Sequence, residues 1–383
     1  MTTGMAVLFI CGDIVNIRNA DGIICSDELA DIIAGADCAV CNFEAPVSGF
    51  GSPRPKIGPH IAQFPETVEG LKKQGFDLLL LANNHIMDFG PEGLDATRER
   101  IAQAGLDCLG AGPDADAAYA PQIRTIAGLK VGMVNACEAQ FGVLDHFAGE
   151  QEPGYAWINH PRIDTTILTL RRQCDFVIVF AHAGLENYPI PQKEWRARYR
   201  HFCDLGADAV IGSHPHVPQG YEEYRQSLIC YSLGNFYFDF GKGKEPENRS
   251  FAVLLELEKG SAPRLRPVHH CSSDGLVGLA PGGKQTDLPH LCGLLGEPYA
   301  AEHDRMSLQA YEKIRKKLLV SMLPVPWDGS LKSMLRQIAH NLVRRKKPED
   351  RRIRQLHIFR NEANYFAARH ALELVAGQKK NSG

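Results

Sequence analysis

Phe176-Val177-Ile178-Val179-Phe180-Ala181-His182 is the stretch that decides the fold. Six consecutive apolar residues, rich in β-branched and aromatic types, read as a strand buried on both faces. The run ends on a histidine, so the strand delivers a polar group at its C-terminal end. The chain opens on the same design, with Val7-Leu8-Phe9-Ile10-Cys11 running into Gly12-Asp13. Between and beyond these runs, helical and strand patterns alternate. Helices are predicted around Ser26 to Ala34, Pro65 to Gln74, Pro91 to Ala104 (ended by Gly105), Asp164 to Arg172 and Gln192 to Leu205 (stopped by Gly206). Strands are predicted at Cys38 to Asn42, Asp77 to Ala82, Ala209 to Gly212, Ser227 to Tyr231 and Phe251 to Leu257, with a hairpin-like pair at Gln122 to Ile126 and Lys130 to Asn135 around Gly128. This rhythm is that of an α/β sheet protein.

The 383 residues carry 42 basic and 45 acidic side chains, a net charge of −3, so no global basic excess points to nucleic acid, and no nucleic-acid partner is expected. With 44% hydrophobic and 23% charged residues the composition is that of a globular protein, not a disordered chain. No apolar run approaches the roughly 18 residues of a membrane helix, so no transmembrane segment is expected. The N-terminal residues Met1 to Ala6 contain no basic residue, and a cytoplasmic location is expected. The 11 cysteines are scattered without C-x-x-C spacing and mostly sit inside apolar runs, which suits a reducing compartment better than a disulfide framework.

Charge divides the chain. Residues 301–383 hold 18 Lys/Arg against 8 Asp/Glu, whereas the first 300 hold 24 against 37. The organisation predicted is an α/β domain over residues 1–260, a linker rich in Gly, Pro, Ser and His over 261–300, and a basic helical region over 301–383. Its helices are expected at about Ser307 to Leu323, Ser330 to Lys347 and Asp350 to Val375, with Ser330 and Asp350 as N-caps, Pro348 as a break and Gly377 as a stop. The clusters Arg344-Arg345-Lys346-Lys347 and Arg351-Arg352 read as solvated faces, or as docking sites for the acidic first part, an anionic polymer or a lipid surface.

Five predicted strand ends carry the polar groups: Gly12-Asp13, Asn42-Phe43-Glu44, Asn83-Asn84-His85, His182, and Ser213-His214-Pro215-His216. In an open α/β sheet these ends share one edge, where sites form. Two carboxylates, an amide oxygen and several imidazoles make a donor set suited to Zn, Mn or Fe, without the thiolates of a structural zinc site. If one carboxylate bridges, the set suffices for two metals roughly 3.5–4 Å apart, which can lower the pKa of a shared water and clamp a phosphoryl or carbonyl group.

The ordered motifs Gly12-Asp13, Asn42-Phe43-Glu44, Ala82-Asn83-Asn84-His85 with Asp88 and Gly90, His182-Ala183-Gly184-Leu185-Glu186, Gly212-Ser213-His214-Pro215-His216 and Tyr231-Ser232-Leu233-Gly234-Asn235-Phe236 resemble the capsule and poly-γ-glutamate synthesis proteins of CapA/PgsA type. That family is similar to the calcineurin-like metallophosphoesterases, and the resemblance runs from about Val7 to Leu257. It implies a metallophosphoesterase-like sandwich of β-sheets flanked by helices, with the C-terminal helices as an extension. It further implies two divalent transition-metal ions (Mn, Zn or Fe), with Asp13 and His216 on the first, Glu44 bridging, and Asn84, His182 and His214 on the second. His85 would donate a proton to the leaving group, with Asp88 orienting it, and Glu186 and Asn235 would lie beside the substrate. The implied activity is hydrolysis of a phosphoester or of a glutamyl amide. The implied partners are an anionic polymer, a phosphoester or a glutamyl peptide. The alternative from the same resemblance is a non-catalytic accessory protein that binds an anionic polymer. Two departures stand out. Phosphoesterases usually begin Asp-x-His, and here Val15 holds the histidine's place; the family's His-Trp-Gly is His182-Ala183-Gly184.

Each residue has a plainer reading as well. Asp13 or Asn83 could cap a helix. Glu44 could be a solvated loop carboxylate, and the histidines around Pro215 could be surface groups of a turn. Asn84 is preferred to Asn83 as a ligand by the resemblance alone. Asn135, Glu138 and His146 could approach the same edge, but polar loop residues are the default. The stretch Tyr231 to Phe236 reads equally as structural support, with Gly234 allowing a tight backbone. His269, His270, Cys271 and His290 are too irregularly spaced to read as a zinc site.

Overall fold

The computed structural model describes residues 4–240, 249–273, 275–322 and 349–381. The chain divides into two compact units, Met1–Arg54 with His60–Pro298, and Pro55–Pro59 with Tyr299–Gly383. In the first, β1 (Ala6–Val15), β2 (Cys38–Phe43), β3 (Leu78–Leu80) and β4 (Asp107–Leu109) are joined by α1 (Asp27–Ala34), α2 (Glu66–Lys73) and α3 (Gly90–Gln103). The short β5 (Ala111–Gly112) and α4 (Ala115–Tyr119) precede the hairpin of β6 (Gln122–Ile126) and β7 (Leu129–Cys137). After β8 (Val143–Leu144) and β9 (Gly154–Ala156), α5 (Pro161–Arg171) leads to β10 (Phe176–His182), and α6 (Lys193–Leu205) to β11 (Ala209–Ser213). Next come β12 (Tyr221–Tyr224), β13 (Ser227–Cys230), β14 (Asn235–Phe238), β15 (Ser250–Leu257), β16 (Arg264–Ser273), β17 (Leu276–Leu279) and α7 (Leu288–Gly293).

The strands make the expected sandwich. One sheet has the order β17-β16-β15-β1-β2-β3-β4, with β14 also paired to β1; the other has the order β12-β13-β11-β10-β7-β6. A third, small sheet has the order β5-β9-β8. Strand alternation explains the unbroken apolar runs. Ala6, Leu8 and Ile10 of β1 join Phe176, Ile178 and Phe180 of β10 in one core, while Phe9 and Cys11 join Leu29, Ile33 and Leu94 of the helices in another. Helix ends follow local chemistry. Ser26 caps α1 by accepting from the Leu29 N–H, and Gly206 ends α6 at φ +112°, a conformation open to glycine at little cost.

The expected linker over 261–300 is a correction. Arg264–His270 pairs antiparallel with Ser250–Glu256, and β17 extends the sheet beyond it. Pro267 and the two histidines hide the alternation in the sequence, yet Val268 and His270 are buried on one face as a strand requires. The α/β unit therefore runs to Pro298.

In the second unit, a helix spans Tyr299–Met322, eight residues earlier in its start than expected, and two others span Glu349–Arg360 and Glu362–Asn381. The single helix expected over 350–375 breaks at Asn361, whose Oδ1 accepts from the Asn364 N–H and caps the new start. Met306, Ala310 and Ile314 are buried on the first helix and Ala363, Ala367 and Ala371 on the last, each series repeating every four residues, as packed helix faces do. The helix expected at Ser330 to Lys347, with its Arg344–Lys347 cluster, lies outside the described residues. Among the described residues no helix is long and apolar enough to cross a membrane.

Candidate metal centre

The parallel strands of both sheets bring their C-terminal ends together. Asp13 lies near the end of β1, Glu44 follows β2, Asn83-Asn84-His85 follow β3, His182 ends β10 and His214 follows β11. A close backbone approach allows this. A Cβ on Gly12 would stand 1.8 Å from the Gly234 carbonyl oxygen, so the turn before β14 can lie against β1 only where no side chain intervenes.

At the centre, His182 Nε2 is 3.0 Å from Asn84 Oδ1, 3.0 Å from His214 Nδ1 and 3.4 Å from a Glu44 oxygen. His216 Nδ1 stands 3.3 Å from Asp13 Oδ2, and its Nε2 3.8 Å from Glu44. Ligand atoms of Glu44, His214 and His216 all fall within 4.8 Å of one another. Asn42 joins the halves, donating to Asp13 Oδ1 at 2.8 Å and lying 3.2 Å from His182 Nδ1. His214 and His216 hold the left-handed backbone, φ +94° and +59°, that L-residues seldom adopt. Such strain costs about 1–3 kcal/mol per residue and clusters at functional sites.

The electrostatics of the cluster suit a bound cation. Asp13, Glu44 and His182 are fully buried, and neither Glu44 oxygen has a hydrogen-bond partner. Burial and the neighbouring Asp13 charge push the Glu44 carboxyl well above its usual range. Against its own burial, the His216 hydrogen bond and the His182 and His216 charges hold Asp13 below its usual value. Burial lowers His182 to about 4 and carries His214 well below its ordinary value. His216 rises to about 10 despite burial, drawn up by Glu44 and Asp13. A bare buried carboxylate is costly, and two neutral imidazoles, an amide oxygen and two carboxylates fit divalent transition metals.

The remaining residues surround this cluster. His85 Nδ1 is 2.8 Å from Asp88 Oδ2, which also accepts from the Ile61 N–H. Asn83 serves the backbone, donating to the Phe43 carbonyl and accepting from the His85 and Ile86 N–H groups. Asn235 Oδ1 is 2.9 Å from His216 Nδ1, so its amide engages a histidine of the cluster rather than open space. Glu186 is exposed on the loop after β10, near enough for its charge to act on Glu44, His182, His214 and His216. Val15, at the place of the Asp-x-His histidine, packs with Ala45 and Ile61 in an apolar cluster.

Glu138 is the residue that the sequence undervalued. Fully buried directly after β7, it accepts from the Gly184 N–H and the Gln140 amide, and its Oε1 stands 3.7 Å from His214 Nε2. The only available signal was its place after a strand. Asn135 instead braces the sheets, accepting from the Ala82 N–H and donating to the Phe180 carbonyl. His146 joins an aromatic group, 5.1 Å from both Trp157 and His160. His269, His270, Cys271 and His290 do not converge among the described residues.

Comparison with known proteins bears on this geometry. The family model described as "Bacterial capsule synthesis protein PGA_cap" matches residues 7–240. The "Capsule biosynthesis protein CapA" of Bacillus anthracis is 35% identical over 188 residues, covering 48% of this chain and 45% of that protein. The "PGA biosynthesis protein CapA" of Bacillus subtilis (strain 168) is 32% identical over 251 residues, 64% of each chain. The matches thus span less than two thirds of these relatives. Among solved structures, a phosphatase from Mycoplasma pneumoniae aligns with a TM-score of 0.44 and 14% identity, over 71% of this chain and 96% of that one, a likeness too distant to argue from.

Proposed function

The chain belongs to the bacterial capsule synthesis protein family PGA_cap, and from that premise we propose that it is a metal-dependent hydrolase of a phosphoester or a glutamyl amide, working in capsule or poly-γ-glutamate synthesis. The observation that carries the reading is Glu44, a buried carboxylate with no hydrogen-bond partner on either oxygen, ringed by His182, His214 and His216. Asp13, Glu44 and His216 would hold one divalent ion, and Glu44, Asn84, His182 and His214 a second. Bound there, Mn, Zn or Fe supplies activation of a water and stabilisation of charge developing on substrate oxygen.

The chain's own groups do the rest. Asp88 fixes the His85 ring through Nδ1, and His85 would give a proton to the leaving group. Asn235 steadies His216, and Glu186, exposed beside the cluster, would contact the substrate. The free thiols of the cysteines support a cytoplasmic setting. An anionic polymer, a phosphoester or a glutamyl peptide are the substrates to screen.

The test is turnover of p-nitrophenyl phosphate esters and γ-glutamyl p-nitroanilide by protein loaded with Mn or Zn. His85→Asn should lower kcat by about 10²–10⁴-fold with metal content unchanged. The basic balance of residues 301–383 favours one second reading, an accessory protein that binds an anionic polymer without cleaving it. Unchanged polymer production by the His85→Asn protein would sink the hydrolase and leave that reading.

A further inference from the structure

A second convergence of ligand atoms lies in the helical unit. His303, Asp304 and His370 each offer one donor atom, all within 4.8 Å of one another. Two helices supply them, His303 and Asp304 from Tyr299–Met322 and His370 from Glu362–Asn381. Asp304 Oδ1 is 2.6 Å from His370 Nε2, and the His303 and His370 rings stand 4.6 Å apart at 71°.

An interhelical hydrogen bond accounts for Asp304 and His370, which lie toward the edge. The third donor, His303, is 3% exposed and sits one turn before Met306, Ala310 and Ile314 on the packed face. An imidazole in that seam takes the place of an apolar side chain. One cation shared by the two rings and the carboxylate would use all three donors at once. We propose that His303, Asp304 and His370 form a further metal site, which takes one borderline divalent ion such as Zn(II) or Ni(II) and clamps the two helices.

Imidazole and carboxylate donors select such ions over Mg(II) or Ca(II). Bonds of about 2.0–2.2 Å to a tetrahedral ion place its donors roughly 3.3 Å apart, so Asp304 and His370 need separate only slightly while His303 closes in. The Asp304 side chain is 45% exposed, which leaves the fourth position to water. Joining residues 303 and 370 also closes a long stretch of chain, the arrangement in which a metal clip stabilises most.

The test uses the full chain carrying His214→Ala and His216→Ala, so that the main cluster contributes little. Titrated with Co(II), this protein should bind one equivalent with the visible absorption of a four-coordinate site, displaced by Zn(II). Adding His370→Gln should abolish that signal, and adding Asp304→Asn should weaken binding at least tenfold, with far-UV circular dichroism retained in both. Independently, His303→Gln with His370→Gln in the otherwise native chain should lower bound metal by one equivalent on elemental analysis. No Co(II) signal, or a signal and metal content untouched by these substitutions, would overturn the site. Because its residues lie outside the Glu44 cluster, its failure would leave the hydrolase reading standing.

Discussion

At the scale of single residues, the candidate centre is a set of buried polar groups that cannot all be satisfied by one another. Asp88 illustrates how such a group acts through a neighbour. It touches His85 Nδ1 and the Ile61 N–H, so Asp88→Asn keeps an acceptor for Ile61 but removes the charge behind His85. We expect kcat to fall about 10–100-fold with KM little changed. A fall in KM affinity alone would instead make Asp88 a substrate contact. Most of the cluster was legible because Asp13, Glu44, Asn84, His182, His214 and His216 lie just after apolar runs, where a polar group at a strand end shows in the sequence, although only the family resemblance preferred Asn84 to Asn83. Glu138 was not, since its meaning comes from Gly184 and His214, which are distant in the chain. Asn235 could be placed near the site but not assigned to His216, because register is set by pairing, here of Asp13 with Asn235.

At the scale of elements, close backbone approach rather than side-chain packing sets the site's floor. Gly12→Ala would drive a methyl group to within 1.8 Å of the Gly234 carbonyl oxygen. Overpacking typically costs roughly 1–3 kcal/mol, and backbone cannot yield as a side chain can, so a loss at or above the upper end is expected. Urea denaturation checks this, with a lower midpoint and a loss of bound metal; a midpoint like wild type would show that β14 can move away from β1. The elements themselves were legible where periodicity was clean, as in β1, β10 and the hairpin of β6 and β7. They were hidden where Pro267, His269 and His270 disguised the alternation of β16, and where Asn361 reset a helix that composition alone would continue.

At the scale of the whole molecule, the buried cluster couples metal, proton and stability. Unfolding restores His182 and His214 to ordinary values, so the unfolded chain binds more protons below about pH 6.5, and stability of the metal-free protein rises as pH climbs toward 6.5. Glu44 opposes this above about pH 4.5, but two imidazoles outnumber one carboxyl. Above 6.5 the sign reverses. His216 holds its proton to about 10 when folded, so its contribution is full below its unfolded value and is lost as pH rises toward 10. Urea midpoints of the metal-free protein should therefore peak near pH 6.5, and a monotonic profile from pH 4.5 to 9 would contradict the assigned shifts. Metal binding must release the His216 proton, so added Mn or Zn should move the optimum to higher pH.

The measurement that bears most directly on the central claim is elemental analysis of protein purified without chelators, wild type beside His214→Ala, His216→Ala. The account predicts that the two differ by about two transition-metal equivalents per chain, and equal metal content in both would contradict it.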